Sequence, residues 1–587
     1  MELLRNSLAE PRIQMRIILA CIVLVWFHSV HGGVVNIDTP WLVCTNPILS
    51  NPEISSLPAI WTDLSFSTRQ ILGAEYLPIR DLSVWLDFAI FGNRWAGHHL
   101  TNLLLYGTSC ILFWKILCHL IQSPIRALFG ALFFTVHPTH IESVAWLASR
   151  KDVLSLAFVM GATLCMLKRQ SIILVSSLCL MAYWSKNTAI SLAPILVATS
   201  LIIHGKTIKS PKWWIQWLPI AGVFGLGLML TFHVGGLMQM FAPPRSDSFL
   251  GSLSITAQVW SQYAGMLLWP SKLSLLYVEP IEQPLLQPTV IVGLCLIGST
   301  VVLPLWLWKK KPLVALGAFW IGCALLPVSQ ISPIQNLMAD RYLLLPSGGL
   351  AIILASAWPE RLRIAPPFYI LGLGILTVLR IPTWHSSEAL WLDVTEKQPL
   401  EPRGWSALSG VYLSQGQLDL ALQTTRQGLT LNQAPILDQS LGLIFLTQDK
   451  GDAAIESLRK AWSKDKQLRK AGNNLALTVH RSGDLAVAER IAQELCELHP
   501  LYATGWNTLG AILLDKGELD RANEAFVTAL KLDPLLLSAM ANLGNVAFQK
   551  NDYATAKQWW TKVLSVDPSY EHAYRGIEYL EQLKKEE

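Results

Sequence analysis

A series of apolar runs fills most of the first 381 residues of this 587-residue chain and limits what it can fold into. Hydrophobic residues make up 52% of the sequence and charged residues 15%, whereas roughly a quarter of residues are charged in soluble domains. A membrane-spanning helix needs about 20 apolar residues, and eleven runs reach or approach that length. They lie at residues 14–31, 99–120, 125–137, 152–167, 171–185, 188–204, 214–234, 287–308, 312–328, 343–358 and 364–381. The sequence therefore predicts an all-α, polytopic membrane domain with about eleven spans.

Basic residues between the runs predict the orientation of this domain, because cytoplasmic loops carry an excess of Lys and Arg. With eleven spans, every basic cluster falls on one side, which places the N-terminus in the cytoplasm and the C-terminal segment in the periplasm or lumen. The clusters contain Arg5, Arg12, Arg16, Arg126, Lys168, Arg169, Lys206, Lys209, Lys212, Lys309, Lys310, Lys311, Arg361 and Arg363. A net charge of only +5 argues against a nucleic-acid partner. The lack of a long insert between spans favours a bacterial inner membrane.

From residue 396 the sequence changes to paired amphipathic helices with a period of 34 residues. The period is marked by Pro500, Pro534 and Pro568 and by Ala488, Ala522 and Ala556. This period is typical of tetratricopeptide repeats, in which small residues let the two helices of a unit approach closely. We predict a membrane domain at residues 1–395 and an extracytoplasmic α-solenoid of about five repeats at residues 396–587. Stacked repeats form a groove that can hold an extended polypeptide.

The polar residues of the membrane domain collect in the loops predicted on the external face. Ionisable groups at the membrane boundary are energetically costly, so these residues are the default candidates for a functional site. A few acids beside several bases suit transfer of a group from a lipid phosphate to a hydroxyl. A carboxylate would accept the hydroxyl proton, and cations would stabilise the departing phosphate. The candidates are Asp38, Arg80, His137, His140, Glu142, Arg150, Lys186, Asp340 and Arg341.

Several short blocks carry a resemblance to a known family, in the same order along the chain. They are Asp38-Thr39-Pro40, Pro78-Ile79-Arg80, His99-Leu100-Thr101-Asn102, the segment from His137 to Trp146 with Arg150-Lys151-Asp152, Ser185-Lys186, and the segment from Ala339 to Pro346. Together with the repeats, these blocks resemble the transmembrane and tetratricopeptide-repeat protein O-mannosyltransferases and their bacterial relatives. The resemblance implies a GT-C-type glycosyltransferase. Its donor would be a polyprenyl-phosphate sugar, mannose in the eukaryotic members, and its acceptors Ser or Thr of exported proteins.

On this reading, Asp38 is the expected base, and the acceptor hydroxyl attacks the anomeric carbon with inversion. Arg80, Lys186 and Arg341 are expected to bind the donor phosphate. Glu142 is the second catalytic candidate, either shaping the site or helping to hold a divalent cation such as Mg²⁺ or Mn²⁺. The supporting residues are His137, His140, Arg150 and Asp340.

Each assignment has a purely structural alternative. Asp38 could cap a short helix, and the three basic candidates could be anchors at the membrane interface. Asp340 could orient Arg341 through an ion pair. Glu142 could pair with a neighbour in its own segment, namely His137, His140 or Arg150.

One departure from the family pattern keeps other functions open. The first loop of the family usually carries two adjacent acids, whereas here Thr39 follows Asp38. Thr39 could hydrogen-bond the substrate or weaken a metal site, because hard cations prefer several carboxylate oxygens. The alternatives are a membrane-anchored repeat scaffold with an inactive transferase body, and a transferase of the same class that acts on a glycan or a lipid.

Overall fold

The computed structural model describes residues 8–204, 214–238, 243, 245–330, 334–358 and 365–586. These residues form helices and loops without a β-strand, so the all-α prediction is confirmed. The chain separates into two compact units, Met1–Gln398 and Pro399–Glu587, where the sequence places the boundary between residues 395 and 396. Part of the predicted basic clusters lies outside the described residues, namely Arg5, Lys206, Lys209, Lys212, Arg361 and Arg363.

The first unit contains long apolar helices, short helices and connecting turns. Its described α-helices are α1 (Pro11–Trp26), α2 (Leu57–Trp61), α3 (Phe66–Ile71), α4 (Pro78–Phe91), α5 (Trp95–Leu120), α6 (Pro124–Thr135), α7 (Ile141–Ala145), α8 (Arg150–Leu167), α9 (Ile172–Ser185), α10 (Leu192–His204), α11 (Leu218–Leu237), α12 (Phe249–Leu268), α13 (Pro288–Leu307), α14 (Pro312–Leu325), α15 (Leu344–Ala357), α16 (Ala365–Arg380) and α17 (Ser387–Lys397). Each of the eleven apolar runs overlaps one of these helices.

Five helical segments are long and apolar enough to cross a membrane by themselves. They are Pro11–His31, Trp95–Leu120, Leu218–Leu237, Pro288–Leu307 and Pro366–Trp384. The apolar helices between them are shorter; α6, for example, has 12 residues. At 1.5 Å per residue such a helix covers little more than half of a ~30 Å hydrocarbon core. It needs cover from neighbouring helices, and eight of the twelve α6 residues are indeed buried.

The connecting segments, rather than the long helices, bring the candidate residues together. One turn, Asp340–Leu343, contacts both the turn Pro138–His140 and helix α7. Another, Thr39–Cys44, contacts the turn Leu147–Ser149 that follows α7. Helix α7 is short because the backbone becomes extended at Trp146, with φ −86° and ψ 119°. These interruptions gather residues that are far apart in sequence at one end of the helices.

The second unit consists of five antiparallel helix pairs and a final helix. The helices are α18 (Pro402–Ser414), α19 (Leu418–Leu431), α20 (Pro435–Thr447), α21 (Gly451–Lys464), α22 (Arg469–Arg481), α23 (Leu485–Leu498), α24 (Ala503–Asp515), α25 (Leu519–Leu532), α26 (Leu537–Gln549), α27 (Tyr553–Val566) and α28 (Glu571–Glu586). The small residues of the 34-residue period lie where the two helices of a pair meet. A Cβ atom on Gly510 would come within 2.6 Å of Phe526, and Ala522 is completely buried. The two helices of a pair therefore approach closely at these positions, which agrees with the prediction that the period requires small residues there.

Candidate active site

Glu142 and Arg341 form a buried ion pair between α7 and the turn Asp340–Leu343. The Glu142 side chain is 1% exposed. One of its carboxylate oxygens accepts a hydrogen bond from Arg341 Nη1, and the other accepts from the Arg341 backbone N–H at 2.8 Å. Burial alone would lower the pKa of Arg341, but the Glu142 carboxylate raises it above its usual value, so the guanidinium stays charged. Glu142 therefore fixes both the charge and the position of Arg341.

Lys186 reaches the same place from the break between α9 and the turn Asn187–Ser191. Its backbone is extended, with φ −158° and ψ 125°, which turns the side chain away from both helices. The Lys186 ammonium donates to Asp152 Oδ1 and lies 5.9 Å from the centre of the Tyr342 ring. Burial lowers the pKa of Lys186, and the Asp152 carboxylate opposes that shift. Arg341 lies 5.1 Å from the centre of the same ring, so two cations contact one aromatic side chain.

A small cavity of about 40 Å³ lies between these groups. Its polar wall contains Asp152, Lys186, Thr188, Arg341 and Tyr342. The rest of the wall is predominantly apolar and includes Leu156, Val159, Ala324, Val328, Leu344 and Leu345. The volume suffices for a few water-sized groups. Two cations beside an apolar wall suit an anionic group that is attached to a hydrocarbon chain.

The two cations retain hydrogen-bond donors that the fold does not use. Arg341 is hydrogen-bonded to Glu142 through Nη1, and its side chain also bonds to the neighbouring Tyr342 hydroxyl, so these partners take up only part of its five guanidinium protons. The Lys186 ammonium carries three protons, of which the bond to Asp152 accounts for one. Arg80 differs, because each of its side-chain nitrogens is bonded: Nε to Asp81 at 2.7 Å, Nη2 to the Leu72 carbonyl at 2.5 Å and Nη1 to Glu75 at 3.4 Å. The prediction that Arg80 binds the donor phosphate is therefore not supported by its geometry.

Asp38 is exposed and lies at a strained point of the first loop. Its φ of 51° with ψ −33° is rare for a residue with a side chain, and such strain concentrates at functional sites. Asp38 Oδ1 accepts a hydrogen bond of 3.3 Å from Trp41 Nε1, and no side-chain cap is made to the turn that follows. The helix-cap alternative for Asp38 is therefore wrong, and its second carboxylate oxygen stays available.

Trp146 joins the Asp38 loop to Arg341. Its indole N–H donates to the Ile37 carbonyl at 3.0 Å and to Thr39 Oγ1 at 2.9 Å, the residues on either side of Asp38. The face of the same indole lies 5.5 Å from the Arg341 guanidinium. Thr39 is completely buried, so its hydroxyl serves this contact rather than a bound substrate. The residue that departs from the family pattern thus holds the neighbouring Asp38 in place.

The remaining basic candidate, Arg150, is occupied by the fold. It donates to Asn102, to Ser83 at 3.0 Å, to Asp87 at 2.5 Å and to the His98 carbonyl at 2.8 Å. These partners lie on α4 and α5, so Arg150 ties α8 to both helices. The alternative in which Arg150 pairs with Glu142 is therefore wrong.

The two histidines hold the segment that leads into α7. His137 accepts from the Thr139 backbone N–H at 3.4 Å, and its Nε2 donates to the Leu267 carbonyl at 3.0 Å. His140 lies between Tyr106 and Ser347, at 2.8 Å from each hydroxyl, and burial lowers its pKa well below the usual value. Neither imidazole is bonded to Glu142, so these alternative pairings are also wrong.

Asp340 is not the partner of Arg341. It accepts a hydrogen bond from the Tyr277 hydroxyl and lies 3.6 Å from Arg380, which itself reaches Asp393 at 3.1 Å. Burial raises the pKa of Asp340 to about 7, although Arg380 opposes the shift. The alternative in which Asp340 orients Arg341 through an ion pair is therefore wrong, because Glu142 is the carboxylate bonded to Arg341.

The described residues do not assemble a set of ligands for a divalent cation. No group of three or more His, Cys, Asp or Glu side chains with metal-ligand spacing occurs in the described ranges. Both Glu142 oxygens are bonded to Arg341, and the position after Asp38 offers a hydroxyl instead of a carboxylate. Hard cations need several oxygen ligands, so this site does not fit one.

Three residues matter more than the sequence indicated. Trp146 and Asp152 stand inside family-like blocks without an assigned role, and Tyr342 reads as a member of an aromatic belt. In the structure, Trp146 links the Asp38 loop to Arg341, and Asp152 is the partner of Lys186. Tyr342 supplies the ring that both cations contact. The one available signal was that Tyr342 directly follows Arg341.

Comparisons with known proteins agree with both halves of the chain. A tetratricopeptide-repeat family model matches residues 507–568. Protein O-mannosyl-transferase TMTC3 of Mus musculus is 20% identical over 524 residues, and the human protein of the same name is 21% identical over 528 residues. Each alignment covers 78% of this chain and 57% of the relative. The chain is a distant relative of the tetratricopeptide-repeat protein O-mannosyltransferases.

The relationship extends over part of each relative. A protein O-mannosyl-transferase of Caenorhabditis elegans is 23% identical over 194 residues, which is 32% of this chain and 28% of that protein. The chain thus matches between about a quarter and just over half of these relatives' length. Together with the five long apolar helices, the relationship indicates an integral membrane protein.

Solved structures resemble the chain over about a third of its length. The tetratricopeptide-repeat protein YrrB is 18% identical with a TM-score of 0.27, and covers 32% of this chain and 97% of its own. The pilus biogenesis factor PilW is 15% identical with a TM-score of 0.30, and covers 32% of this chain and 89% of its own.

Proposed function

We propose that this protein is a membrane glycosyltransferase. It would move a hexose, mannose by analogy with the names of its relatives, from a polyprenyl-phosphate donor to Ser or Thr of an exported polypeptide. The observation that carries the proposal is the meeting of Lys186 and Arg341 at one cavity with an apolar wall, next to the loop of Asp38. A lipid-linked donor cannot leave the bilayer, so its phosphate must be met at the membrane boundary.

Lys186 and Arg341 would bind the donor phosphate with the donors that the fold leaves unused. Each cation already has a buried carboxylate partner, Asp152 or Glu142, so the cavity is close to neutral before the donor arrives. In the transition state, negative charge develops on the departing phosphate, and the two cations would stabilise that developing charge. The proposed reaction contains no step through a metal ion, since the ligand set does not fit one.

Asp38 would act as the general base. Its carboxylate accepts the proton of the acceptor hydroxyl as the hydroxyl oxygen forms a bond to the anomeric carbon. The bond from that carbon to the phosphate oxygen breaks at the same time, and its electron pair stays on the phosphate beside Arg341 and Lys186. A single displacement of this kind inverts the anomeric configuration. Trp146 would set the distance between base and phosphate site by holding Thr39 and facing Arg341.

The other predicted residues would act at a distance from the substrate. Glu142 would position Arg341, while Arg80, Arg150, His137, His140 and Asp340 would hold the surrounding segments. The repeats would hold the acceptor polypeptide. We expect them on the external side of the membrane, with the N-terminus in the cytoplasm and a bacterial inner membrane as the location.

The test is transfer of radiolabelled sugar from a polyprenyl-phosphate donor to protein in isolated membranes. Four samples are compared: wild-type protein, Asp38→Asn, Glu53→Gln as an exposed carboxylate of the same loop, and no protein. We expect hydroxyl-linked label with wild-type protein and Glu53→Gln, and background with the other two. Equal label in all four would support the scaffold alternative. Label in a lipid or glycan fraction alone would support a different acceptor.

A further inference from the structure

A second cavity of the first unit is a groove of about 690 Å³ that is lined by residues of α12, α13 and α14. We call it the α12–α14 groove. Its apolar wall contains Trp260, Ile297, Val301, Phe319 and Leu326. The volume lies within the range of about 300–1,000 Å³ that is typical of ligand-binding cavities. Helix α13 is long and apolar enough to cross a membrane, so we expect the groove to open toward lipid.

The polar residues of the α12–α14 groove collect at one end. Ser246 and Ser248 precede α12, and Ser329 follows α14 and its short turn. The two segments are joined by the Thr256 hydroxyl, which donates to the Ser329 carbonyl at 3.0 Å. Phe319 lies six residues before the end of α14, so the apolar wall extends about 9 Å or more from this polar end, at 1.5 Å per residue. The groove therefore fits a molecule with a polar end and a hydrocarbon chain.

Gln330, at the polar end, gives an independent sign of a ligand. Its φ of 61° is rare for a residue with a side chain, and the residue is only 7% exposed. The amide Oε1 accepts a hydrogen bond from the Ile334 backbone N–H at 3.2 Å. The buried Nε2 makes no hydrogen bond to other described residues. A buried NH₂ group without an acceptor is destabilising, and an ester or phosphate oxygen of a lipid in the groove would supply that acceptor.

The α12–α14 groove is separate from the cavity between Lys186 and Arg341. Ala324 and Val328 line that cavity, whereas Cys323 and Leu326 line the groove. Neighbouring residues of α14 and its turn thus face two different cavities, with the helix end between them. The hydrocarbon chain of a donor whose phosphate lies at Lys186 and Arg341 would have to cross α14 to enter the groove. The groove therefore suits a second lipid rather than the donor.

The charges at the polar end indicate the kind of head group. Asp247 lies on the rim, and Glu282 accepts a hydrogen bond from the Ser246 hydroxyl at 2.8 Å. Neither carboxylate forms an ion pair with another described residue. The neighbouring cation, Arg245, is bonded to Glu279 at 3.2 Å. Two unpaired carboxylates attract an ammonium group and repel a lipid with a net negative charge.

We propose that the α12–α14 groove binds a bilayer phospholipid of the phosphatidylethanolamine class. One acyl chain lies along the apolar wall, the ammonium group lies near Asp247 and Glu282, and Gln330 Nε2 donates to an ester or phosphate oxygen. Because α14 also forms part of the wall of the cavity at Lys186 and Arg341, the bound lipid would hold that wall in place. The binding does not depend on sugar transfer, so it can be tested whether or not the proposed function is correct.

The experiment identifies the lipids that the full-length protein retains. The protein is reconstituted into liposomes of equal parts phosphatidylethanolamine and phosphatidylglycerol with added polyprenyl phosphate, extracted in mild detergent and measured by native mass spectrometry. The samples are wild-type protein, Cys323→Trp, Gln330→Leu and Cys295→Trp. Cys323 lines the groove, and a Trp side chain there would fill it. Cys295 is an exposed cysteine of α13 outside the groove lining, which makes Cys295→Trp the matched control.

We expect wild-type protein to retain phosphatidylethanolamine at least about tenfold over phosphatidylglycerol. Retention should fall at least about tenfold in Cys323→Trp and roughly twofold to tenfold in Gln330→Leu, and should be unchanged in Cys295→Trp. Equal retention of the two phospholipids by wild-type protein, or retention of neither, would overturn the proposal, and this comparison needs no variant to fold. Full retention in Cys323→Trp would also overturn it. Polyprenyl phosphate retained in place of phospholipid, and lost in Cys323→Trp, would overturn it and assign the groove to the donor.

Discussion

Trp146 provides the sharpest test of how the proposed base is held. Its N–H is shared between the Ile37 carbonyl and Thr39 Oγ1, at 3.0 and 2.9 Å, while its ring faces Arg341. Trp146→Phe removes the N–H and keeps an aromatic face for the guanidinium. It leaves a buried hydroxyl and a carbonyl without their donor, which costs about 1–3 kcal/mol. If that energy orders the Asp38 loop for reaction, kcat/KM falls by roughly 5-fold to 150-fold.

The partner variant is Thr39→Val, which has nearly the same shape but no hydroxyl. Both changes break the hydrogen bond between Trp146 and Thr39, and Trp146→Phe also removes the bond to the Ile37 carbonyl. The two effects should therefore not add, and the double variant should resemble the Trp146→Phe single variant. The assay is the rate of sugar transfer to a peptide, with thermal unfolding measured in parallel. Donor KM should change little, because Lys186 and Arg341 are untouched. Fully additive losses, or wild-type activity in Trp146→Phe, would refute the role of Trp146 as the link to Asp38.

Three further predictions concern charge, pH and packing. Arg341→Lys keeps the charge but loses the planar guanidinium, so the KM for the donor should rise about tenfold. Arg80→Lys should lower thermal stability and leave the donor KM unchanged. A rise in donor KM with both variants would contradict the different roles of Arg341 and Arg80. Burial raises the pKa of Asp340 to about 7, so the folded state holds more protons than the unfolded state between about pH 4 and pH 7, and stability should fall as pH rises through this range. Asp340→Asn should flatten that part of a stability profile measured by thermal unfolding, and an unchanged slope would count against it. Gly510→Ala should destabilise the repeats by about 1–3 kcal/mol in denaturant unfolding because its Cβ would overlap a neighbouring side chain, while Gly410→Ala, which meets nothing within 4 Å, should be neutral or slightly stabilising.

The helices and the repeats could be predicted because their signals are local. An apolar run needs no distant partner to become a helix, and a 34-residue period fixes which small residues lie between paired helices. Gly510 follows this rule, since the Phe526 ring occupies the space that a Cβ would need. The same local reasoning picked out the loops that carry Asp38, Glu142 and Lys186.

The partners of the charged residues could not be predicted, because tertiary packing decides them. Glu142 bonds to Arg341, 199 positions away, rather than to the histidines or the arginine in its own segment. Arg80 and Arg341 look alike in sequence, yet every side-chain nitrogen of Arg80 is bonded within the fold, whereas Arg341 keeps protons beyond its bonds to Glu142 and Tyr342. The sequence shows only that Thr39 replaces the second acid of the family pattern, whereas the structure shows that its hydroxyl accepts a hydrogen bond from Trp146.

The proposed transferase activity can be tested with purified protein reconstituted into liposomes with a radiolabelled polyprenyl-phosphate mannose and a Ser/Thr peptide. The measurement is the label that base-catalysed elimination releases from the peptide, in wild-type protein and in Asp38→Asn. We expect hydroxyl-linked mannose on the peptide with wild-type protein and a loss of at least about a hundredfold with Asp38→Asn. Transfer at wild-type rate by Asp38→Asn would contradict the assignment of the base, and no transfer by wild-type protein would contradict the proposed function.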